Sequence, residues 1–248
     1  MEPWRTAIST FEPNRILIRG RPVEALMAGG NFADVAFLLL RGRPPSAAES
    51  RVWNAMLIAV ADHGPTPPST MAARVIASGN RRAVEAAVAG GLLAVGDAHG
   101  GAGEETMRML RQGLALIADE RLTVPAAAER VAETYRRRGE RIPGVGHRVH
   151  TRDPRTETLW TLAQEAGLAG AAVELMRAVA AAARPERPLP VNVDGALAAV
   201  LVEMGFEPAV GKIVFLLGRC AGISAHVLEE LTREKPMRIE VPFVYDGS

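Results

Sequence analysis

A chain of 248 residues with 48% apolar and 23% charged side chains can fill one large domain or two smaller ones, which argues against disorder. Its 29 Lys and Arg stand against 28 Asp and Glu, and a net charge of +1 gives no global field for nucleic acid or an anionic membrane. Any anion site must be local, and the single Cys220 excludes an internal disulfide.

The N-terminal Met-Glu-Pro-Trp-Arg lacks the apolar core of a secretory signal, so a cytoplasmic protein is expected. Ile16, Leu17 and Ile18 lead into Arg19-Gly20-Arg21-Pro22, which predicts a short strand or hairpin ending there, with Pro22 beginning a helix. From here the period is helical. Asn31 can cap a segment whose Phe32, Val35, Ala36 and Leu39 share a face expected to pack inward, ending before Gly42 and Pro44. Ser46 followed by Glu49 is a capping-box pattern, opening a helix with Val52, Met56, Ala59 and Val60 on one face.

Further helices are expected over 69–78, 81–94, 101–119, 124–138, 155–166, 169–183, 193–204 and 208–233, so the fold class is all-α apart from the N-terminal hairpin. Apolar runs such as 171–183 are interrupted by Glu174 and Arg177 and fall short of the roughly 20 residues that cross a bilayer, so no span is expected. Aromatic residues make up 4%, too few for a base-stacking platform, and no repeat of solenoid period is present.

The chemistry-bearing residues gather at the breaks. His63 precedes Gly64-Pro65, His99 precedes Gly100-Gly101, and His147 and His150 lie in Ile-Pro-Gly-Val-Gly-His-Arg-Val-His-Thr-Arg-Asp-Pro-Arg (142–155). A neutral imidazole at such a break suits general acid or base work near pH 7, although any one of them also fits a hydrogen-bonded structural histidine. His147, His150 and Asp153 offer three ligands for a metal. Against that reading stands the lack of Cys partners or a His-Glu-x-x-His pattern.

Arg136, Arg137, Arg138, Arg141, Arg148, Arg152 and Arg155 surround the Pro143-Gly144-Val145-Gly146 turn, with only Glu140 and Asp153 of opposite sign. Guanidinium groups bind phosphates and carboxylates in bidentate fashion, and glycine lets backbone approach closely. Arg136 to Arg138 also fit a helix end, where cations meet the negative dipole. In Pro190-Val191-Asn192-Val193-Asp194-Gly195, either Asn192 or Asp194 can cap the helix that follows, while a carboxylate desolvated there can act as a base on a weak carbon acid. Arg219 stands in an otherwise apolar stretch; buried, it needs an anionic partner or ligand, and the alternative is an exposed helix face.

Taken together, these residues resemble the citrate synthase superfamily, and most closely its short members, the citryl-CoA lyases. The resemblance runs from Thr6-Ala7-Ile8-Ser9 and Ile18-Arg19-Gly20-Arg21-Pro22 through Phe32-Ala33-Asp34-Val35-Ala36-Phe37 and Ala61-Asp62-His63-Gly64-Pro65 with Ser69-Thr70. It continues through Ala98-His99-Gly100-Gly101, Pro143-Gly144-Val145-Gly146-His147-Arg148-Val149, Asp153-Pro154-Arg155, Asn192-Val193-Asp194 and Gly218-Arg219.

The resemblance implies two helical lobes, residues 1–98 with 193–248 as the larger and 99–192 as the smaller, with the site between them and subunits paired as a homodimer or higher oligomer. It implies catalytic roles for His99 at the thioester carbonyl, Asp194 at the carbon and His147 at the oxaloacetate-derived oxygen. His63, Arg155 and Arg219 would hold the dicarboxylate, joined by Arg238 as the arginine that a partner subunit donates. Gly144, Val145, Gly146 and Arg152 would face CoA. No metal or redox cofactor is implied, CoA entering only as part of the substrate, and no nucleic acid or membrane partner is expected.

Two departures point to the subclass. Full synthases carry a long N-terminal region and usually a Glu after the histidine at position 63, whereas this chain starts near the hairpin and reads His63-Gly64-Pro65. The spacing from His147 to Arg155 is also one residue shorter than in the usual synthase. The expectation is cleavage of citryl-CoA to acetyl-CoA and oxaloacetate. A citrate or methylcitrate synthase-like condensing enzyme, a lyase of malyl or citramalyl thioesters, and a non-catalytic acyl-CoA-binding subunit are the alternatives.

Overall fold

The computed structural model describes residues 2–147, 150–184, 186 and 189–247; Arg148 and Val149 of the glycine-rich motif lie outside the described residues. Three short strands, β1 (Ser9–Glu12), β2 (Arg15–Ile18) and β3 (Arg21–Pro22), form an antiparallel sheet in that order. The expected strand is β2. The sheet is largely exposed, so β1 had no buried face to write an apolar alternation into Ser-Thr-Phe-Glu. Asn14, at φ 63°, turns β1 into β2, a conformation that asparagine tolerates.

Eleven helices follow among the described residues: α1 (Val23–Gly29), α2 (Phe32–Arg41), α3 (Ala47–Ala61), α4 (Pro68–Gly79), α5 (Val84–Leu93), α6 (Ala102–Asp119), α7 (Val124–Arg138), α8 (Pro154–Glu165), α9 (Ala171–Ala183), α10 (Val193–Glu203) and α11 (Ala209–Arg233). The chain is an all-α protein with a small N-terminal sheet; most later helix ends lie within two residues of those expected, but α5 begins at Val84 rather than at 81, with no side-chain cap at Ala83. Asn31 accepts the Asp34 amide at 2.9 Å, and Gly42 closes α2 in the left-handed region. Ser46 and Glu49 cap each other's backbone at the start of α3.

The inward face of α2 departs from the expected one. Phe32 is 78% exposed, while Ala33, Ala36, Phe37 and Leu38 are buried. The stripe is rotated because Phe37 packs edge-on against Trp53 and Phe206, with ring centroids 5.5 and 5.3 Å away, and Trp53 donates its indole N–H to the Ala33 carbonyl. Helix α10 is buried nearly all round, from Val193 and Gly195 through Leu201, which is the burial expected of a helix without a polar face. Asp194, in its first turn, is the carboxylate that this buried helix carries at its N-terminal end.

By length and composition α11 is apolar enough to cross a membrane, a property the sequence reading overlooked by judging 171–183 instead. Half of its apolar window is buried in the protein, where it packs against α3, α4, α5 and α6 and carries the buried Arg219 and Glu230. These contacts account for its apolar composition. It approaches α3 closely through Gly218 and Gly222: a Cβ on Gly218 would lie 2.5 Å from the Leu57 carbonyl oxygen, and one on Gly222 would lie 2.1 Å from that of Ala61.

Both obstacles are backbone, so relief requires the helices to separate. Gly222→Ala is therefore expected to lower the unfolding free energy by about 3 kcal/mol, the upper part of the usual overpacking range. Chemical denaturation measures this, and an unchanged midpoint would contradict the close crossing.

Candidate active site

The α3–α11 crossing fixes the first wall of the site. Arg219 is only 2% exposed; its Nε donates to the Val60 carbonyl at 2.9 Å, and its guanidinium carbon lies 4.7 Å over the Phe215 ring. Its Nη1 is buried without a partner among the described residues. A guanidinium so desolvated has its pKa pushed down by burial, against the favourable charges of Asp62 and Asp194. An unsatisfied buried cation is costly to the fold, so an anion is the occupant that this arrangement suits.

Just beyond α3, Asp62 accepts the Gly64 amide at 3.0 Å and meets His226 Nε2 at 3.0 Å, shaping the turn that carries His63. Burial, with the charges of Arg155 and Arg219, lowers the His63 pKa, so its imidazole is neutral near pH 7.

The second wall is the loop before α8, fastened to the start of α10. Asn192 caps α10 through the Gly195 amide, settling which residue is the cap. Its own amide donates to Gly144 O at 3.0 Å, its side chain donates to Gly146 O at 2.9 Å, and Gly146 N donates to Pro190 O at 2.7 Å. Gly144, at φ 77°, would bring any Cβ to 2.7 Å from Gly195 Cα, so glycine is required twice over. This stitching holds His147 and Asp194 on one framework.

Six residues after His147, Asp153 caps α8 and grips Arg155 in bidentate fashion at 2.9 and 2.8 Å, while Arg155 Nη1 reaches the Ala59 carbonyl at 3.4 Å. Asp153 is thereby taken out of the metal-ligand set that the sequence suggested.

The loops converge on three imidazoles. The ring of His147 lies 4.4 Å from that of His150 and 5.7 Å from that of His63, and His63 and His150 are 6.0 Å apart. The His150 amide donates to His147 Nδ1 at 3.0 Å, so the neutral His147 ring carries its proton on Nε2. Burial, and then the neighbouring His150, lowers the His147 pKa. Asp194 moves the other way: burial raises its carboxyl to about 6, although Arg155 and Arg219 pull it down. A half-buried carboxyl that titrates near neutrality is suited to proton transfer.

His99 is held in a tight turn in which it exchanges backbone hydrogen bonds with Gly96 at 2.8 and 3.0 Å. Its Nε2 lies 2.8 Å from the hydroxyl of the buried Ser69, and its ring stands edge-on to Phe215 at 5.7 Å. Phe215 therefore lies between His99 and Arg219. Gly100 makes room for it, since a Cβ there would be 2.4 Å from the Phe215 ring.

The remaining residues are placed more loosely. The Val145 and Gly146 amides already donate inside the protein, to Ile142 and Pro190, so this turn offers shape rather than open donors. Arg152 is exposed and paired with Glu157 at 3.2 Å. Arg238 lies on its own chain's fully buried Glu230, at 3.0 and 2.6 Å, beside Arg74. It borders a groove with Pro65, Arg74 and His226, behind the His63 turn.

Sequence reasoning gave no role to Phe215, His226, Glu230, Ser69 or Asp62. The signal for two of them was present: His226 and Glu230 recur with Arg219 at helical spacing along α11, a polar stripe in an apolar helix.

The chain as a whole is similar to known proteins. The family model described as citrate synthase, C-terminal domain, matches residues 44–240. The solved structure of citryl-CoA lyase from Hydrogenobacter thermophilus is similar with a TM-score of 0.90 and 38% identity, covering 100% of this chain and 96% of that one. Citrate synthase from Thermoplasma acidophilum, solved as a ternary complex with carboxymethyl coenzyme A and oxaloacetate, is similar with a TM-score of 0.69 and 25% identity over 88% of this chain and 58% of its own. Citrate/2-methylcitrate synthase of Bacillus subtilis (strain 168) is 29% identical over 230 residues, 90% of this chain and 58% of its own length. The chain spans little more than half the length of the curated relatives it matches.

Proposed function

The chain belongs to the citrate synthase family, and on that premise we propose that it cleaves (3S)-citryl-CoA to acetyl-CoA and oxaloacetate. The observation that carries this reading over condensation is the similarity to a citryl-CoA lyase, at 38% identity and a TM-score of 0.90 against 25% and 0.69 for the synthase.

In the proposed reaction His63, Arg155 and Arg219 hold the dicarboxylate portion, and the unpartnered Arg219 Nη1 gains the acceptor it lacks. His147 takes the proton of the tertiary hydroxyl. The bond between the carbinol carbon and the thioester's α-carbon breaks, leaving oxaloacetate and the enolate of acetyl-CoA. His99, oriented by Ser69, stabilises the enolate oxygen, an interaction of about 3 kcal/mol in comparable sites. Asp194, in its acid form, protonates the enolate carbon to the methyl group.

No water is consumed and no electrons leave the substrate, so the chemistry calls for no cofactor beyond the CoA that the substrate carries. With Nε2 protonated at rest, the basic nitrogen of His147 is Nδ1, and it accepts the hydroxyl proton only once the His150 amide has released it. The loop holding His147 therefore has to shift as the substrate settles.

In this reading residues 99–192 form a lobe over the larger one, 1–98 with 193–248, and Arg152 and the 144–146 turn meet CoA. A second copy would donate its Arg238, drawn from Glu230 across a homodimer interface.

The second reading, a citrate or methylcitrate synthase, is favoured by the 29% identity to the Bacillus subtilis enzyme. It uses the same groups in reverse, with hydrolysis of the citryl thioester added. Two assays separate them. Citryl-CoA should release oxaloacetate in step with acetyl-CoA, and acetyl-CoA with oxaloacetate should give little free CoA. Rapid release of CoA in the second assay would favour the synthase, and CoA-thioester binding without turnover in either would make the chain a binding subunit.

A further inference from the structure

We propose that His63, His147 and His150 form a binding site for a divalent transition metal such as Zn2+, and that its occupation shuts the enzyme. One nitrogen from each ring lies within 4.8 Å of the other two. The three come from two separate elements, the turn after α3 and the loop before α8, so the cluster is a product of folding and not of local sequence. Bound to zinc at about 2.0–2.1 Å, tetrahedral nitrogens sit about 3.4 Å apart. Side-chain rotations that move each nitrogen by roughly an ångström close that gap without moving a helix.

Three imidazoles and one open position are a donor set that selects Zn2+, Ni2+, Co2+ or Cu2+ over Mg2+ and Ca2+, which prefer oxygen. The charges of Arg155 and Arg219 oppose a cation at His63 and that of Asp153 favours one, so binding rests on the three nitrogen donors. Arg155 is paired in bidentate fashion with Asp153, and Arg219 has Asp62 and Asp194 in its field.

His150 is the residue that makes the site. It has no part in the proposed cleavage through its side chain, yet its ring lies within 4.4 Å of His147 and supplies the third nitrogen. Inhibition follows from the overlap: a metal held here engages the imidazoles that would meet the dicarboxylate and the tertiary hydroxyl. The inhibitory effect rests on the function proposed above; the binding itself does not.

The test uses Co2+ as the probe on the full chain, read by visible absorption, where tetrahedral nitrogen ligation gives bands far stronger than those of the hydrated ion. We expect one Co2+ per chain with such bands, displaced by Zn2+, and at least about 10- to 100-fold weaker binding in both His150→Ala and His63→Ala, since losing a ligand costs no less than losing a group that orients one. Zn2+ should inhibit citryl-CoA cleavage reversibly, with chelator restoring it, and His150→Ala should need correspondingly more Zn2+.

Equal Co2+ affinity in wild type and His150→Ala, or only the weak spectrum of an octahedral ion, overturns the proposal. Strong bands lost in both variants, from a protein that turns over no citryl-CoA, would uphold the metal site and overturn the lyase reading instead.

Discussion

Asp194→Asn is expected to lower citryl-CoA cleavage by about a thousandfold, within the 10²–10⁴ range of a positioned acid or base. The asparagine keeps the shape of the first turn of α10 but carries no transferable proton. Because burial raises Asp194 to about pH 6, the pH profile gives a second reading of the same group. Cleavage needs its acid form, so kcat/KM for citryl-CoA should fall tenfold per unit above about pH 6. Condensation needs the carboxylate, so kcat/KM for acetyl-CoA should rise toward pH 6 and level off.

Stability should fall with pH alongside cleavage, yet it should not follow activity down in Asp194→Asn. A carboxyl whose folded pKa exceeds its unfolded value of 3.8 favours the folded state below the lower value, and that advantage is lost as pH rises through about 6. At neutral pH the charged form costs up to about 3 kcal/mol, the free-energy equivalent of that shift. Asp194→Asn should therefore melt no lower than wild type at pH 7.5. Thermal unfolding and pH-resolved kinetics check both halves; a variant that retains activity would sink the role given to Asp194.

Arg219→Met is the second large effect. Methionine fills similar space and removes a buried cation whose Nη1 has no partner, offsetting the lost bond to the Val60 carbonyl. Stability is expected to stay within about 1 kcal/mol of wild type, as when buried ionic groups are replaced by apolar ones of like volume. Charge-assisted hydrogen bonds are worth about 1.5–3 kcal/mol each, so one or two lost to a carboxylate predict roughly a 100-fold fall in kcat/KM. Arg219→Lys should recover only part, because lysine keeps the charge but not the planar fork. Lost stability with normal kinetics in Arg219→Met would instead mark Arg219 as a structural residue.

Sequence legibility was uneven for physical reasons. The helices at Asn31 and Ser46 were readable because a short polar side chain satisfies amides within three residues, a purely local requirement. The inward stripe of α2 was misread by one residue because Phe37 is selected by Trp53 and Phe206, the latter far away in sequence. At the site, His63, His99, His147 and Asp194 announced themselves by lying at glycine and proline breaks or a helix start. Ser69 and Asp62 did not, since each acts by touching one histidine: Ser69 meets His99, and Asp62 meets His226.

By itself the sequence determined the order and ends of the helices, the local cationic loop and the residue types available for acid, base and anion work. All of these depend on neighbours a few positions apart. Only the tertiary structure decided that Arg219 and Asp194 are desolvated and that His63 joins His147 and His150. Those outcomes depend on desolvation and on contacts made when α3, α10 and α11 close on one another, and neither exists until the chain is packed.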